Sequence, residues 1–303
     1  MEQQIMITGD DEKGFWGKIW DYLAQIAREH RGFGKQIFML AKNDLIKTYK
    51  GALIGPFWAI MKPLFQLFVY WFAFTIGMNG GPRGDIYDKI PFFVFVMAGF
   101  LPWCFMSDCV SRGSKCIRDN RQFVNKISFP VSAITTYTTL SKFYIHIFLF
   151  VAAYVYMLIA GMFPTENGWT FAPNVYHLQI IGYAAAMFVF YWALTWSLAP
   201  MSAFSKDFES FIATIMSGLF WVSGVCFDSY HIKNEIIKKI LLFNPMTYFC
   251  NGYRKALIYN QWYFEGYYRP EYENLIFAIE FALVLILGIV NYNRLRKRLP
   301  DVL

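Results

Sequence analysis

The fold of this chain is indicated by one stretch, Lys42-Asn-Asp-Leu-Ile-Lys-Thr-Tyr-Lys-Gly-Ala-Leu-Ile-Gly-Pro-Phe-Trp-Ala-Ile-Met-Lys-Pro63. Its first half is basic and amphipathic, and its second half opens a long apolar segment. A helix of that kind lies in the headgroup layer, because lysines reach the lipid phosphates and tyrosine prefers the interface. Gly51 and Gly55 then allow the chain to turn into the bilayer. The stretch therefore predicts an interface helix leading into a span, which is more typical of a transporter than of an anchor. The residues expected at the lipid head groups are Lys42, Lys47, Tyr49 and Lys50.

The composition is that of a membrane protein. Of the 303 residues, 56% are hydrophobic and 20% aromatic, and the apolar runs are too long for a soluble core. The net charge of +7 could indicate nucleic-acid binding, but the basic residues cluster beside apolar runs, where they set topology and contact anionic lipid. We therefore expect no nucleic-acid partner. The stretch Met1–Glu12 is polar and acidic and does not have the pattern of a signal peptide.

Six apolar segments have about the 20 residues that a membrane-crossing helix needs. The predicted spans are Ala52–Met78, Pro91–Val110, Val131–Met162, Leu178–Pro200, Phe208–Phe227 and Asn274–Tyr292. Lysine and arginine concentrate before the first span, after the second and in the C-terminal tail, which predicts that both termini are cytoplasmic. The expected fold is thus an all-α, multi-pass protein of the plasma (inner) membrane, with short outer-leaflet helices between spans five and six. A break between two of these short helices is expected at Asn244-Pro245.

Two spans carry polar residues at helical spacing. The first set is Lys62, Gln66 and Tyr70, and the second is Thr135, Thr139, Lys142 and His146. Because charges inside a span are costly, each set can line a pathway for an anionic or hydroxyl-rich substrate. The alternative is that the lysines snorkel or that the polar residues join helices, which suits Lys142 near the cytoplasmic end of its span.

Aromatic residues form a stripe at the start of the predicted fifth span. Its members are Phe204, Phe208 and Phe211, followed by Ile215. Aromatic rings are a natural lining for a sugar chain, whereas lipid contact and core packing are the commoner uses in a chain with 32 Phe.

The loop Arg112–Lys126 combines five basic residues with a few apolar ones. It is a candidate for a short cytoplasmic helix that docks in a groove of a partner and transmits force. A solvated loop that follows the positive-inside rule is the alternative.

The sequence lacks the motifs of common catalytic sites. It contains no GxxxxGK[ST], HExxH, CxxC or GxSxG, and its four His and five Cys are scattered. We therefore predict no catalytic residue, no metal site and no bound ATP in this chain.

The segment Lys42–Pro63 resembles the signature of type-2 ABC exporter permeases that move lipid-linked polysaccharides, the wall teichoic acid, O-antigen and capsule permeases. The residues that carry this resemblance are Asn43-Asp44, Lys47, Tyr49-Lys50, Gly51, Ile54-Gly55, Trp58 and Pro63. The region Ile117–Pro130 looks like the coupling helix of that family, and Asn244-Pro245 with Tyr253-Arg254 resembles its segment after the fifth span. The similarity runs from about Phe33 to Leu303, so residues 1–32 form an extension before a six-span permease domain, 33–303.

The resemblance implies a homodimer that works with two copies of a separate ATP-binding subunit, on which ATP and Mg would be bound. It implies a channel between the two permease copies, and the residues expected to line it are Trp58, Lys62, Gln66, Tyr70, Phe204, Phe208 and Phe211. The residues expected at the coupling helix are Lys115, Arg118, Asn120 and Arg121, and those of the outer segment are Asn244, Pro245, Tyr253 and Arg254.

Two other functions stay open at this point. An exporter of small amphiphiles such as drugs or lipids would have the same architecture. A membrane-embedded transferase would need a cluster of acids or histidines that the sequence does not show.

Overall fold

The computed structural model describes residues 14–77, 90–125, 129–163, 168–229, 232–265 and 270–302. Within these residues the regular structure is helical throughout, which confirms the predicted all-α class. The twelve α-helices are α1 Phe15–His30, α2 Gly34–Thr48, α3 Trp58–Trp71, α4 Phe92–Asp119, α5 Arg121–Asn125, α6 Val131–Gly161, α7 Gln179–Phe204, α8 Lys206–Val222, α9 Glu235–Leu242, α10 Pro245–Arg254, α11 Pro270–Leu295 and α12 Leu299–Val302. Single π-helical turns extend α3 to Gly77 and α10 to Tyr259.

Five helical segments of the described chain are long and apolar enough to cross a membrane. They are Trp58–Gly77, Phe92–Asp119, Val131–Gly161, Val175–Phe204 and Tyr272–Arg298. The predicted fifth span, Phe208–Phe227, overlaps α8, which ends earlier, at Val222, and with 17 residues is shorter than any of these segments. At 1.5 Å per residue, α8 is about 25 Å long, which is the lower end of what spans a bilayer.

Helix α4 forms the centre of the bundle and packs against α6, α7 and α10. It continues to Asp119, so the prediction that the second span ends at Val110 and is followed by a loop was wrong. The helix continues because it packs closely on α7: a Cβ at Gly113 would lie 2.8 Å from Thr195 Oγ1. Glycine is therefore needed for this close approach rather than for a turn.

The N-terminal helix α1 packs on the bundle through the buried side chains of Ile19 and Ile26. Glu29 near its end forms an ion pair with Arg296 and accepts a hydrogen bond of 2.6 Å from Ser132 Oγ. The described part of the predicted extension is thus attached to the permease domain at the ends of α6 and α11.

The segment between α8 and α11 holds two helices that differ in burial. Helix α9 is largely exposed, whereas α10 is buried among α4, α7 and α11. The chain breaks between them at Asn244, as predicted, because its side chain accepts a hydrogen bond of 3.0 Å from the Met246 amide and Pro245 begins α10.

Candidate functional site

A polar cleft lies between α2, α3, α4 and α6. It consists of two adjoining cavities of about 260 and 210 Å³. Thr48, Arg112 and Lys142 line both cavities, which therefore lie side by side. The ionisable and amide side chains along the cleft are Asp44, Lys47, Lys62, Gln66, Asp108, Arg112, Asp119, Asn120, Lys142 and His146.

The turn between α2 and α3 brings two walls of the cleft together. Thr48 Oγ1 donates a hydrogen bond of 2.8 Å to the Asp44 carbonyl at the end of α2. Gly51 and Gly55 then adopt φ values of +86° and +52°, which side chains disfavour, so the chain reverses towards α3. The predicted turn is confirmed, and it places Lys47 of α2 and Lys62 of α3 on one cleft.

Lys142 is the buried cation of the cleft. Its side chain is 5% exposed, and its Nζ lies 3.8 Å from Asp44 Oδ2. Asp44 also accepts a hydrogen bond of 2.6 Å from Ser141 Oγ. This arrangement neutralises Lys142, because a buried ammonium group is tolerated only with a charged or strongly polar partner. Asp44 of the sequence signature therefore supports the wall formed by α6.

Three other charges of the cleft are arranged differently. Lys62 on α3 and Asp108 and Arg112 on α4 are exposed to it, and none lies within 4 Å of an opposite charge in the described part of the chain. The Lys62 ammonium is 5.9 Å from the centre of the Tyr49 ring. Burial and the nearby Asp108 carboxylate raise the pKa of Tyr49 above its ordinary value. These groups remain available to a polar ligand.

His146 links the cleft to the outer part of the bundle. Its Nε2 is 2.7 Å from the hydroxyl of Tyr253, which is fully buried. The next residue, Arg254, stacks 3.7 Å from the centre of the Phe95 ring. Its guanidinium donates to the carbonyls of Phe95, Gly224, Val225 and Phe227 at 3.3, 2.6, 2.5 and 3.4 Å. The residues predicted for an outer segment thus hold α10 to α4 from inside the bundle.

The structure divides the predicted channel residues between two regions. Lys62 and Gln66 line the polar cleft. Phe208 and Phe211 line an apolar groove of about 710 Å³ between α7, α8 and α10 that shares no residue with the cleft. Trp58 begins α3 and Phe204 ends α7, and both are exposed.

Tyr70 joins α3 to α8. It accepts a hydrogen bond of 2.5 Å from Gln66 Nε2, and its ring stacks on Phe220 with the centroids 4.7 Å apart. Trp221 contacts the same tyrosine edge-on at 6.4 Å. Tyr70 therefore forms part of a helix–helix contact beside the cleft.

The predicted coupling residues lie at the end of α4 and the start of α5. Lys115 and Arg118 belong to the last turns of α4, Asn120 is the capping residue that follows it, and Arg121 begins α5. Arg118 forms an ion pair with Glu209 of α8 and donates a 3.5 Å hydrogen bond to the Ser202 carbonyl of α7. The end of α4 is thus attached directly to the junction between α7 and α8.

No group of three or more metal-ligating side chains occurs in the described ranges, and the five cysteines are free thiols. Sequence reasoning missed Asp108 and Arg112 as cleft residues. They stand four residues apart, so they share one face of α4, and Asp108 is the one acid in a long apolar run. This spacing and the single acid in an apolar run could have identified both residues from the sequence.

Comparisons with known proteins identify the family of this chain. Residues 35–258 match the family model described as "ABC-2 type transporter", which covers the cleft and α8. The chain belongs to this transporter family. It is also 27% identical over 242 residues to "O-antigen export system permease protein RfbA" of Myxococcus xanthus, an alignment that covers 78% of this chain and 85% of that protein. Membership of the family makes the chain a membrane-spanning transporter subunit.

Proposed function

We propose that this ABC-2 permease exports a lipid-linked polysaccharide or teichoic-acid-type polymer from the cytoplasm to the cell exterior. The observation that carries the proposal is the polar cleft, which begins at the interface helix α2 and continues between α3, α4 and α6. A cleft with charges inside a membrane bundle suits a polar head group attached to a lipid. The similarity to an O-antigen export permease supports the same substrate class.

The transport unit would be a homodimer in the plasma (inner) membrane with both termini cytoplasmic. Helix α3 supports this arrangement, because Leu67 is its one buried residue and a row of large side chains along it is exposed. The exposed row includes Phe65, Phe68, Val69 and Phe72. Together with the exposed face of α8, it would form the wall of a channel between two copies, beside lipid.

Recruitment of the head group would begin on α2 and the turn that follows. Lys42, Lys47 and Lys50 are all exposed, and Lys47 also lines the cleft. Lysines at the membrane surface attract anionic head groups by about 1 kcal/mol each. The path would then lead from Lys47 to Lys62 and Gln66.

ATP hydrolysis would take place on a separate subunit, with its Mg, because this chain has no phosphate-binding loop. Two copies of that subunit would press on the end of α4 and on α5. The ion pair between Arg118 and Glu209 would pass this displacement to α8.

Depletion of the protein in its native host tests the proposal. Lipid-linked polymer should accumulate inside while surface polymer is lost, as measured by fractionation of the two pools. An unchanged distribution would contradict polymer export and favour the export of small amphiphiles, for which the apolar groove of about 710 Å³ offers a binding surface.

A further inference from the structure

The N-terminal helix α1 lies outside the part of the chain that matches the transporter family, which begins at residue 35. It packs on the membrane-spanning bundle and leaves two large aromatic side chains uncovered: Trp16 is 70% exposed and Trp20 is 73% exposed. We propose that α1 binds an anionic lipid surface, with these tryptophans at the acyl–headgroup boundary and the basic turn after α1 on the head groups. The inference needs only a membrane-spanning chain and is independent of the exported substrate.

The residues of α1 fall on three sides of the helix. Ile19 and Ile26, seven residues apart, form the buried side. Trp16 and Trp20, four residues apart, share a second side about a quarter-turn away. A helix with a single apolar neighbour would carry polar residues at these two positions, so the tryptophans indicate a second apolar neighbour. The third side, opposite the other two, is polar and consists of Asp21, Gln25 and Arg28.

The depth at which α1 packs favours lipid as that second neighbour. Its buried side meets Trp196, Ile289 and Tyr292, all of which belong to segments long and apolar enough to cross a membrane. Trp196 lies eight residues before Phe204, where its segment ends, which is about 12 Å along the helix. That segment is about 45 Å long and the hydrocarbon is about 30 Å thick, so this depth falls near the acyl–headgroup boundary. Tryptophan prefers that level of the bilayer.

Basic residues surround the turn at which α1 ends. Arg28, Arg31 and Lys35 are exposed there, on both sides of the connection to α2. Glu29 does not offset them, because it already forms an ion pair with Arg296. Aromatic residues along one side of a helix, with cations beside them, are typical of amphipathic helices that bind anionic membranes. The charge of this turn therefore favours lipids with anionic head groups.

Photo-crosslinking in native membranes tests which molecule covers the tryptophans. A photo-reactive amino acid replaces Trp20, with Gln25 on the polar side and Ile181, 71% exposed within a span, as comparison positions. The cells are fed an alkyne-bearing fatty acid, so that lipid attached to the protein can be labelled and weighed. We expect lipid adducts at Trp20 and Ile181 and few at Gln25. An adduct to another protein at Trp20, or as little lipid there as at Gln25, would overturn the proposal.

Hydrogen exchange of the full chain in nanodiscs tests how far lipid stabilises α1. Trp16→Ser/Trp20→Ser should speed exchange of the α1 amides severalfold, because the two exposed rings would lose their lipid contact. Trp16→Phe/Trp20→Phe should keep most of the protection, since phenylalanine also prefers the apolar side of an interfacial helix.

The lipid composition of the nanodiscs tests the basic turn. Phosphatidylglycerol should protect α1 more than phosphatidylcholine does, and Arg31→Gln/Lys35→Gln should remove this difference. The matched control is Lys233→Gln/Lys239→Gln, which neutralises two exposed lysines around α9 and should leave the exchange of α1 unchanged. Exchange in α1 that is the same for the serine variant and the wild type, or the same in both lipids, would overturn the proposal.

Discussion

The polar cleft and the region around α10 contain the same kinds of charged residue, but these residues have different partners in the two places. Around α10, Arg254 makes four hydrogen bonds to backbone carbonyls, and Lys255 lies 2.7 Å from Glu273 with both side chains buried. In the cleft, Lys62, Asp108 and Arg112 are open to a cavity and lie more than 4 Å from any opposite charge that the structure describes. Charges with satisfied partners hold the fold, whereas charges without partners inside a membrane bundle indicate a ligand.

Removal of one partner in the α10 region should have the largest effect on stability. In Glu273→Gln, the buried Lys255 ammonium would lose its ion pair with Glu273, and we expect a loss of about 3–5 kcal/mol in the free energy of unfolding. Thermal unfolding of the protein in nanodiscs measures this loss of stability. The control is Glu235→Gln, which removes the exposed carboxylate of a pair with Lys238 and should cost less than about 1 kcal/mol. Equal effects of the two variants would contradict the structural role of the buried pair.

Arg112→Gln should affect transport and leave stability unchanged. Its side chain makes no ion pair with the described residues, so the midpoint of thermal unfolding should match the wild type. Export of polymer to the cell surface should fall about tenfold or more, because a charged contact to phosphate is lost. If the variant instead unfolds at a lower temperature but retains its export per folded molecule, Arg112 stabilises the fold and does not bind the substrate.

Reversal of the ion pair between α4 and α8 tests the coupling. Arg118→Glu should reduce polymer export per ATP hydrolysed severalfold, because two carboxylates would then face each other at the junction. Adding Glu209→Arg should restore most of the export. If the double variant is as poor as the single one, the pair does not transmit the displacement of α4.

The apolar groove should matter least for polymer export. Phe211 lines it and is 58% exposed, so Phe211→Ala removes little buried area. We expect export of polymer to change less than about twofold, since a mostly exposed side chain contributes little to packing. A loss as large as that of Arg112→Gln would assign the substrate path to the groove.

Local patterns in the sequence were sufficient for the architecture. Gly51 and Gly55, which have the positive φ values that the turn requires, predicted the turn between α2 and α3. The Asn244-Pro245 pair predicted the break before α10. The length of α4 was missed because Ser111, Gly113 and Ser114 are typical of a loop, and the contact of Gly113 with Thr195 is visible only after folding.

The candidate site was predictable only in part. Lys62 and Gln66 were found from their spacing within one helix, and the structure places them in the cleft. Their association with Asp108, Arg112 and Lys142 depends on how α3, α4 and α6 pack, which no spacing within one helix reveals. For the same reason, the sequence did not reveal that Tyr253 and Arg254 of the predicted outer segment contact His146 and Phe95.

In the proposed export cycle, the polar head of the lipid-linked polymer passes through the cleft. A photo-crosslinking amino acid at Gln66 tests it in the polymer-producing host, with Ile215 in the apolar groove and Ile181, exposed on α7, as comparison positions. We expect labelled polymer attached to the protein at Gln66 and little at the other two positions. Polymer attached at Ile215 but absent at Gln66 would contradict it.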